Sequence, residues 1–136
     1  RILGPVALED YREIMLSADV IVCPSRDDTL PLVTLDALGC GKALLLSNTT
    51  GTVDFMTPGV HGLVFTSEDT RQLAACMQQL IEDPALRQRL GQAGRELFRK
   101  HFSLTGFQQR FVELMLSVAR SRTGVPLDSV AEGLAS

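Results

Sequence analysis

The stretch VIVCPSRDDTLPLVTLDALGCGKALLLS, Val20–Ser47, decides the fold. It opens with one continuous apolar run, Val20–Cys23, and closes with another, Ala43–Ser47. Short runs of this kind are typical of parallel strands that are buried on both faces. Between them a polar loop, Ser25–Pro31, leads into Leu32–Gly41, which has the pattern of a helix ended by glycine. A strand, a helix and a second strand in this order predict a parallel βαβ unit.

The flanking segments extend this unit in both directions. Arg1–Val6 indicates the end of a strand that runs into a Gly-Pro turn, and Leu8–Ala18 has the apolar spacing of a helix. Downstream, Val53–Met56 predicts one helical turn, and Leu63–Phe65 predicts a third short strand. Three further helices are then expected: Ser67–Asp83, Pro84–Lys100 and Leu104–Arg120.

This order of elements predicts an α/β fold, a Rossmann-like open parallel sheet with helices on both faces and a helical C-terminal tail. Three or four strands are too few for a complete doubly wound domain, so we expect further strands upstream, in a larger protein. We expect one partial domain over residues 1–120 and a loosely ordered tail over residues 121–136, where the helical pattern fades.

Composition limits the classes of function. The 136 residues are 45% hydrophobic and carry a net charge of −3, so bulk electrostatics give no attraction to nucleic acid. No apolar run approaches the roughly 20 residues that a membrane-spanning helix needs. The cysteines Cys23, Cys40 and Cys76 show no zinc spacing, and we expect buried free thiols in a reducing compartment.

The loop between the first strand and its helix is the candidate binding region. In an open parallel sheet, ligands bind at the carboxyl ends of the strands, and Ser25–Pro31 leaves such an end. The backbone N–H groups of Leu32 and Val33, together with the helix dipole, favour a phosphate. Asp36 lies one turn further along the same face, where its carboxylate is placed to accept hydrogen bonds from ribose hydroxyls.

Plainer interpretations of these acidic residues stay open at this level. Asp36 can equally lie on a solvated face or in a structural hydrogen bond. Asp27 and Asp28 can simply interact with the helix dipole, or one of them can face a sugar beyond a diphosphate.

One predicted helix is basic. Its charged residues can lie on a solvated face, or they can contact an anionic membrane surface. That helix carries Arg87, Arg89, Arg95, Arg99 and Lys100.

The segment Ala18–Phe65 resembles the C-terminal donor domain of GT-B glycosyltransferases, and within these the retaining group often called family 4 or group 1. The similarity covers about residues 1–120, and its core is a pair of acidic residues separated by seven others. The motifs are Pro24-Ser25, Asp28, Asp36-Ala37, Gly39-Cys40-Gly41-Lys42 and Gly62-Leu63-Val64.

The resemblance implies transfer of a sugar from a nucleotide-diphosphate sugar with retention at the anomeric carbon, without a metal or other cofactor. It implies a catalytic position for Asp28, beside the donor sugar, and contact between Asp36 and the ribose hydroxyls. It also implies donor-binding positions for Thr29 and Leu30, through loop backbone at the sugar, and for Leu32 and Val33, through N–H groups at the distal phosphate.

Two features depart from the family pattern. Both acidic positions are usually Glu and here are Asp, which is one methylene shorter, and position 31, commonly Gly, is Pro. The basic residues that neutralise the diphosphate, and the N-terminal acceptor domain, are expected upstream, so we expect the 136-residue piece alone to be inactive.

For the complete protein the resemblance implies a hexosyltransferase of polysaccharide biosynthesis that acts on a glycan or lipid-linked glycan. It would be cytoplasmic, with peripheral contact to the inner face of the membrane, and its partners would be a nucleotide sugar and no nucleic acid. The alternative is a catalytically inactive GT-B-like module that serves in binding or interaction.

Overall fold

The computed structural model confirms the predicted α/β architecture and describes residues 2–123. Its three-stranded sheet is parallel, in the order β1-β2-β3. The strands are β1 (Val20–Cys23), β2 (Ala43–Ser47) and β3 (Leu63–Phe65). The helices are α1 (Leu8–Ser17), α2 (Leu32–Gly39), α3 (Thr70–Glu82), α4 (Pro84–His101) and α5 (Leu104–Thr123), with a 3₁₀ helix at Gly51–Phe55. The chain divides into two compact units, Arg1–Lys100 and His101–Ser136, and the sheet lies in the first.

The central strand β2 organises the core, and all five of its residues are buried. Side chains alternate across a strand. Leu44 and Leu46 therefore pack on one face, with residues of α1 and α2. Ala43 and Leu45 pack on the other face, with residues of α3 and α4. The continuous apolar run that predicted this strand is thus explained by burial on both of its faces.

Helix α2 is terminated by the glycine that its sequence predicts, although its last helical residue is Gly39 and not Gly41. Gly41 has a φ of +68°, in the left-handed region. Its N–H donates to the carbonyl of Leu38 at 3.0 Å, and the N–H of Lys42 donates to the carbonyl of Ala37 at 2.9 Å. This pair of bonds is a Schellman motif, in which glycine is favoured because it has no side chain to strain the backbone.

Several predicted boundaries are wrong. Helix α3 spans Thr70–Glu82 instead of Ser67–Asp83, and the 3₁₀ helix spans Gly51–Phe55 instead of Val53–Met56. Ile2–Val6 forms no strand, since no strand in the described part of the chain pairs with it, and the side chain of Ile2 is 99% exposed. Helix α5 continues to Thr123, beyond its predicted end at Arg120. Extending an existing helix needs only one more hydrogen bond per residue, whereas starting a helix is costly. The rest of the predicted tail, residues 124–136, lies outside the described residues.

The prediction of three buried thiols holds only for Cys23. Cys40 is exposed, because it lies at the C-terminal end of α2, and Cys76 is half-buried on α3. All three are free thiols. Burial raises the pKa of the Cys76 thiol, so it stays protonated at neutral pH.

Among residues 2–123, no helix combines the length and the hydrophobicity needed to cross a bilayer.

Candidate functional site

The loops that follow β1 and β2 meet at the carboxyl edge of the sheet. Asp28 and Thr50 form an isolated parallel bridge, and the N–H of Gly51 donates to the carbonyl of Asp28 at 2.9 Å. A Cβ atom built on Gly51 would lie 1.9 Å from the carbonyl oxygen of Thr29. The second loop therefore reaches the first only because position 51 has no side chain.

Buried hydroxyl groups stabilise this contact between the two loops. Thr34 donates to the carbonyl of Pro31 at 2.6 Å, and its hydroxyl lies 2.7 Å from that of Thr52. The hydroxyl of Ser47, at the end of β2, donates to the carbonyl of Ser25 in the first loop. The three hydroxyl-bearing residues are completely buried. These bonds join the end of β2, the loop after β1 and the start of α2 into one rigid unit, which the sequence reasoning missed.

The start of α2 carries no side-chain cap. Pro31 is the N-cap residue and makes no side-chain hydrogen bond. Within residues 2–123, the N–H groups of Leu32 and Val33 donate to no carbonyl. Such groups at the first turn of a helix have no partner inside the helix. The side chain of Leu32 is 75% exposed, and that of Val33 packs partly against the core. The predicted phosphate-favouring donors are thus unpaired in the described structure.

The loop before this helix contains Asp28, Thr29 and Leu30. The side chain of Asp28 is half-buried, and it makes no hydrogen bond or ion pair within the described residues. Thr29 and Leu30 are exposed. Gly51 therefore anchors the backbone of Asp28 while the carboxylate stays free for other partners.

Asp36 lies on α2, one turn after Leu32, and its side chain is exposed. The hydroxyl of Tyr11, in α1, donates to Oδ2 of Asp36 at 2.7 Å. Burial and this hydrogen bond raise the pKa of Tyr11 to about 12. Oδ1 of Asp36 accepts no hydrogen bond within residues 2–123. The structure thus contains the structural hydrogen bond that the sequence left open, and one carboxylate oxygen remains for a ligand.

A pocket of about 480 Å³ lies between α1 and α2 and reaches Asp36. This volume falls in the range of small-molecule sites. The lining is mostly apolar, and its charged residues are Arg12 and Asp36. Tyr11 and Met15 also line the pocket.

His61 belongs to a turn, where its Nδ1 accepts from the N–H of Thr57 at 2.9 Å. In the part of the chain that the structure describes, no group of three His, Cys, Asp or Glu side chains is arranged to hold a metal ion.

Comparison with known proteins identifies the family. Residues 1–97 match the family model described as glycosyl transferases group 1. The α-maltose-1-phosphate synthase of Mycobacterium tuberculosis is 30% identical over 119 residues, which cover 83% of this chain and 31% of that enzyme. The chain therefore spans about a third of the length of the curated relatives it matches.

Solved structures show the same fold. The sucrose-phosphate synthase of Thermosynechococcus elongatus superposes with a TM-score of 0.71 at 28% identity, over 86% of this chain and 30% of that one. Alr3699/HepE of Anabaena, solved in complex with UDP-glucose, gives a TM-score of 0.71 at 21% identity, over 79% of this chain and 30% of that one. Because the family model matches most of this chain, the chain belongs to the group 1 glycosyltransferases, and it has the α/β fold of a GT-B domain.

Proposed function

We propose that the full-length protein transfers a sugar from a nucleotide-diphosphate sugar to an acceptor with retention, and that this chain binds the donor. One observation carries the proposal: the N–H groups of Leu32 and Val33 are unpaired at the start of a helix that also carries Asp36 one turn further in. This arrangement matches a diphosphate followed by a ribose.

Each group has a role in this proposal. The N–H groups of Leu32 and Val33 bind the distal phosphate, and Asp36 accepts from the ribose hydroxyls. Asp28 lies beside the donor sugar, with the backbone of Thr29 and Leu30. Charge develops on the diphosphate as it leaves, and preorganised N–H donors at a helix start stabilise that charge. We propose that these donors, with cationic side chains outside this chain, act without a metal.

The kind of donor is proposed from the relatives. Alr3699/HepE was solved with UDP-glucose, and the relatives named above are synthases of sugar phosphates. We therefore propose a hexosyl donor. From the family resemblance, we propose an acceptor that is a glycan or lipid-linked glycan, bound by an acceptor domain outside this chain. We place the reaction in the cytoplasm, at the inner face of the membrane where the acceptor is lipid-linked.

Titration calorimetry of the full-length protein with UDP-, GDP- and ADP-linked hexoses tests the donor site. Asp36→Ala is expected to weaken binding of the preferred donor about tenfold or more, because a hydrogen bond to a charged group is lost. Asp27→Ala, at an exposed residue in the loop before α2, is the matched control and should leave affinity unchanged. Equal affinity in the Asp36 variant would remove its assigned role.

The role of Asp28 needs a separate measurement. Asp28→Ala is expected to lower kcat at least about tenfold while changing the donor Kd by less than about threefold, which is the pattern for a group that acts mainly in the transition state. Turnover that stays unchanged would contradict this role.

A second candidate function is a catalytically inactive binding module. The hydrogen bond from Tyr11 favours it, because this bond already uses one oxygen of Asp36. Both acidic positions also carry the shorter Asp. A folded full-length protein that binds none of the nucleotide sugars would favour this second function.

A further inference from the structure

The hydrogen bond between Tyr11 and Asp36 joins two helices that lie 25 residues apart in sequence. Tyr11 belongs to the first half of α1 and Asp36 to the middle of α2, and both line the same pocket. The contact is therefore a property of the tertiary structure and not of either helix alone.

The Tyr11 ring holds its hydroxyl in a defined place. The ring packs partly against the core cluster that contains Met15 and Leu38. The chain from Cα to the hydroxyl of a tyrosine has only two rotatable bonds, so a packed ring leaves the hydroxyl little freedom. An exposed aspartate, by contrast, has a broad distribution about its terminal torsion. The contact at 2.7 Å therefore orients the carboxylate more than it orients the phenol.

The direction of the Tyr11–Asp36 hydrogen bond also determines which ligand groups Oδ1 of Asp36 can bind. A phenol O–H donates and an ionised carboxylate only accepts, so Oδ2 is engaged as an acceptor. Oδ1 is left with its lone pairs, and within residues 2–123 no donor reaches it. A ligand that meets this oxygen must bring a donor, as a ribose hydroxyl does. Since the pKa of Tyr11 is about 12, the phenol keeps its proton at neutral pH.

We infer that Tyr11 is a positioning residue of the donor site, which fixes the Asp36 carboxylate so that Oδ1 accepts from a ribose hydroxyl. The inference rests on the proposed function. It assigns to Tyr11 no contact with the reacting atoms; its effect passes through Asp36. Orienting the carboxylate before the donor arrives removes part of the ordering cost of binding.

A purely structural role makes a different prediction. If the bond only ties α1 to α2, its loss lowers stability and weakens every ligand equally. If it positions Asp36, its loss weakens only those ligands that carry the ribose hydroxyls. The discriminating quantity is the ratio of affinities for a ribonucleoside diphosphate and for its 2′,3′-dideoxy counterpart, because both hydroxyls are absent from the second ligand.

The experiment measures this ratio for UDP, GDP and ADP by calorimetry on the full-length protein. We expect the wild type to prefer one ribonucleotide about tenfold over its dideoxy form, as a hydrogen bond to a charged group implies. Tyr11→Phe, which keeps the ring, should reduce that preference to about threefold or less. Asp36→Ala should abolish it, and adding Tyr11→Phe to Asp36→Ala should change the ratio no further.

Ser17→Ala is the matched control. Ser17 lies on the same helix and its hydroxyl donates to the carbonyl of Ile14 at 3.1 Å, outside the pocket. Its removal should leave the ratio as in the wild type. Thermal unfolding of all variants measures how much each hydroxyl contributes to stability alone.

The outcomes separate the inference from the proposed function. An unchanged ratio in Tyr11→Phe, with a lower unfolding temperature, overturns the positioning role and leaves the donor site intact. Tighter ribonucleotide binding by Tyr11→Phe also overturns it, because Tyr11 would then compete with the ribose. A wild type that binds no ribonucleoside diphosphate overturns the proposed function itself, and with it the inference.

Discussion

Helix α2 begins without a side-chain cap, whereas an aspartate caps α3 and another precedes the first turn of α4. Asp69 accepts from the N–H of Gln72 at 2.9 Å, and Asp83 accepts from the N–H of Leu86 at 2.8 Å. At the start of α2 the equivalent position is Pro31, which offers no such oxygen. The same domain thus contains two helix starts at which an aspartate accepts from one backbone N–H, and the start of α2, where no described side chain does so. Helix α1, whose N-cap residue is Ala7, also lacks a side-chain cap.

The difference teaches how an uncapped helix start can still be rigid. Three devices hold α2: the Thr34 hydroxyl on the carbonyl of Pro31, the Thr34–Thr52 contact, and the close approach of Gly51 to the loop before the helix. All three contacts involve carbonyls or side chains, so the N–H groups of Leu32 and Val33 remain without a partner among the described residues. An anion is the natural partner for such groups.

The largest expected effect comes from Gly51→Ala. The added Cβ would lie 1.9 Å from the carbonyl oxygen of Thr29, so the loop before α2 must move. We expect a loss of about 3 kcal/mol in the free energy of unfolding, measured by urea denaturation, together with weaker binding of the donor.

Gly91→Ala is the control for this prediction. Its Cβ would lie 2.1 Å from the carbonyl oxygen of Gly41, at the other end of α2. It should destabilise the domain similarly, while the folded protein keeps its affinity for the donor. Equal losses of affinity in the two variants would show that the loop at Gly51 has no particular part in the site.

Thr34→Val tests the hydroxyl bonds directly. The substitution keeps the shape of the side chain but leaves the carbonyl of Pro31 and the hydroxyl of Thr52 without this partner in a buried setting. We expect a loss of about 1–3 kcal/mol in the free energy of unfolding. Thr66→Val, at an exposed position, should change it by less than about 0.5 kcal/mol. A loss no greater than that of the control would mean that α2 does not depend on this bond.

Removing the caps of α3 and α4 should have a smaller effect and leave binding unaffected. Asp69→Ala and Asp83→Ala are each expected to lower the free energy of unfolding by about 1 kcal/mol, since each frees one backbone donor. Calorimetry should show donor affinity equal to that of Asp19→Ala, an exposed control. Weaker binding of the nucleotide sugar by either cap variant would contradict the proposed difference between capped and uncapped helix starts.

The last expected effect is a dependence of stability on alkaline pH. The pKa of Tyr11 rises from 10.0 to about 12 on folding, chiefly through burial and then through the hydrogen bond to Asp36. The neutral phenol is the form that folding favours. Its contribution is therefore complete below pH 10 and is lost as the pH rises towards 12.

Urea denaturation of the wild type and Tyr11→Phe at several pH values between 8 and 12 measures this contribution. The difference between the two free energies of unfolding should be constant up to about pH 10 and should shrink above it. A difference that stays constant across the whole range would contradict the raised pKa.

The sequence predicted those parts of the fold that depend on local patterns. The bounds of all three strands match the predicted apolar runs, because Pro24 and neighbouring polar residues interrupt them. Four helices begin where the sequence placed their starts: Leu8, Leu32, Pro84 and Leu104. The start of α3 at Thr70, and not at the predicted Ser67, follows from a local cap, Asp69. Another error falls where partners from elsewhere in the chain decide the outcome. Ile2–Val6 has strand-like residues but no neighbouring strand among those described.

Only those parts of the candidate site that depend on residues close in sequence could be predicted. The spacing from Leu32 to Asp36 follows from helix geometry, so the sequence alone placed both on one face. The bond between Tyr11 and Asp36 and the contact between Thr34 and Thr52 span 25 and 18 residues. No periodicity reports such contacts, since they depend on how separate elements pack. The sequence placed Tyr11 only within the predicted helix Leu8–Ala18.

The uncapped start of α2 has a thermodynamic consequence for the whole domain. The backbone N–H groups that stay unpaired in the free protein can be satisfied by a ligand that binds only the folded state. Such a ligand adds RT ln(1 + [L]/Kd) to the free energy of unfolding. A nucleotide sugar at a hundred times its Kd would add about 2.7 kcal/mol, more than two helix caps together provide. The melting temperature then reports the identity of the donor, and a panel of nucleotide sugars can be ranked without an acceptor or an assay of transfer.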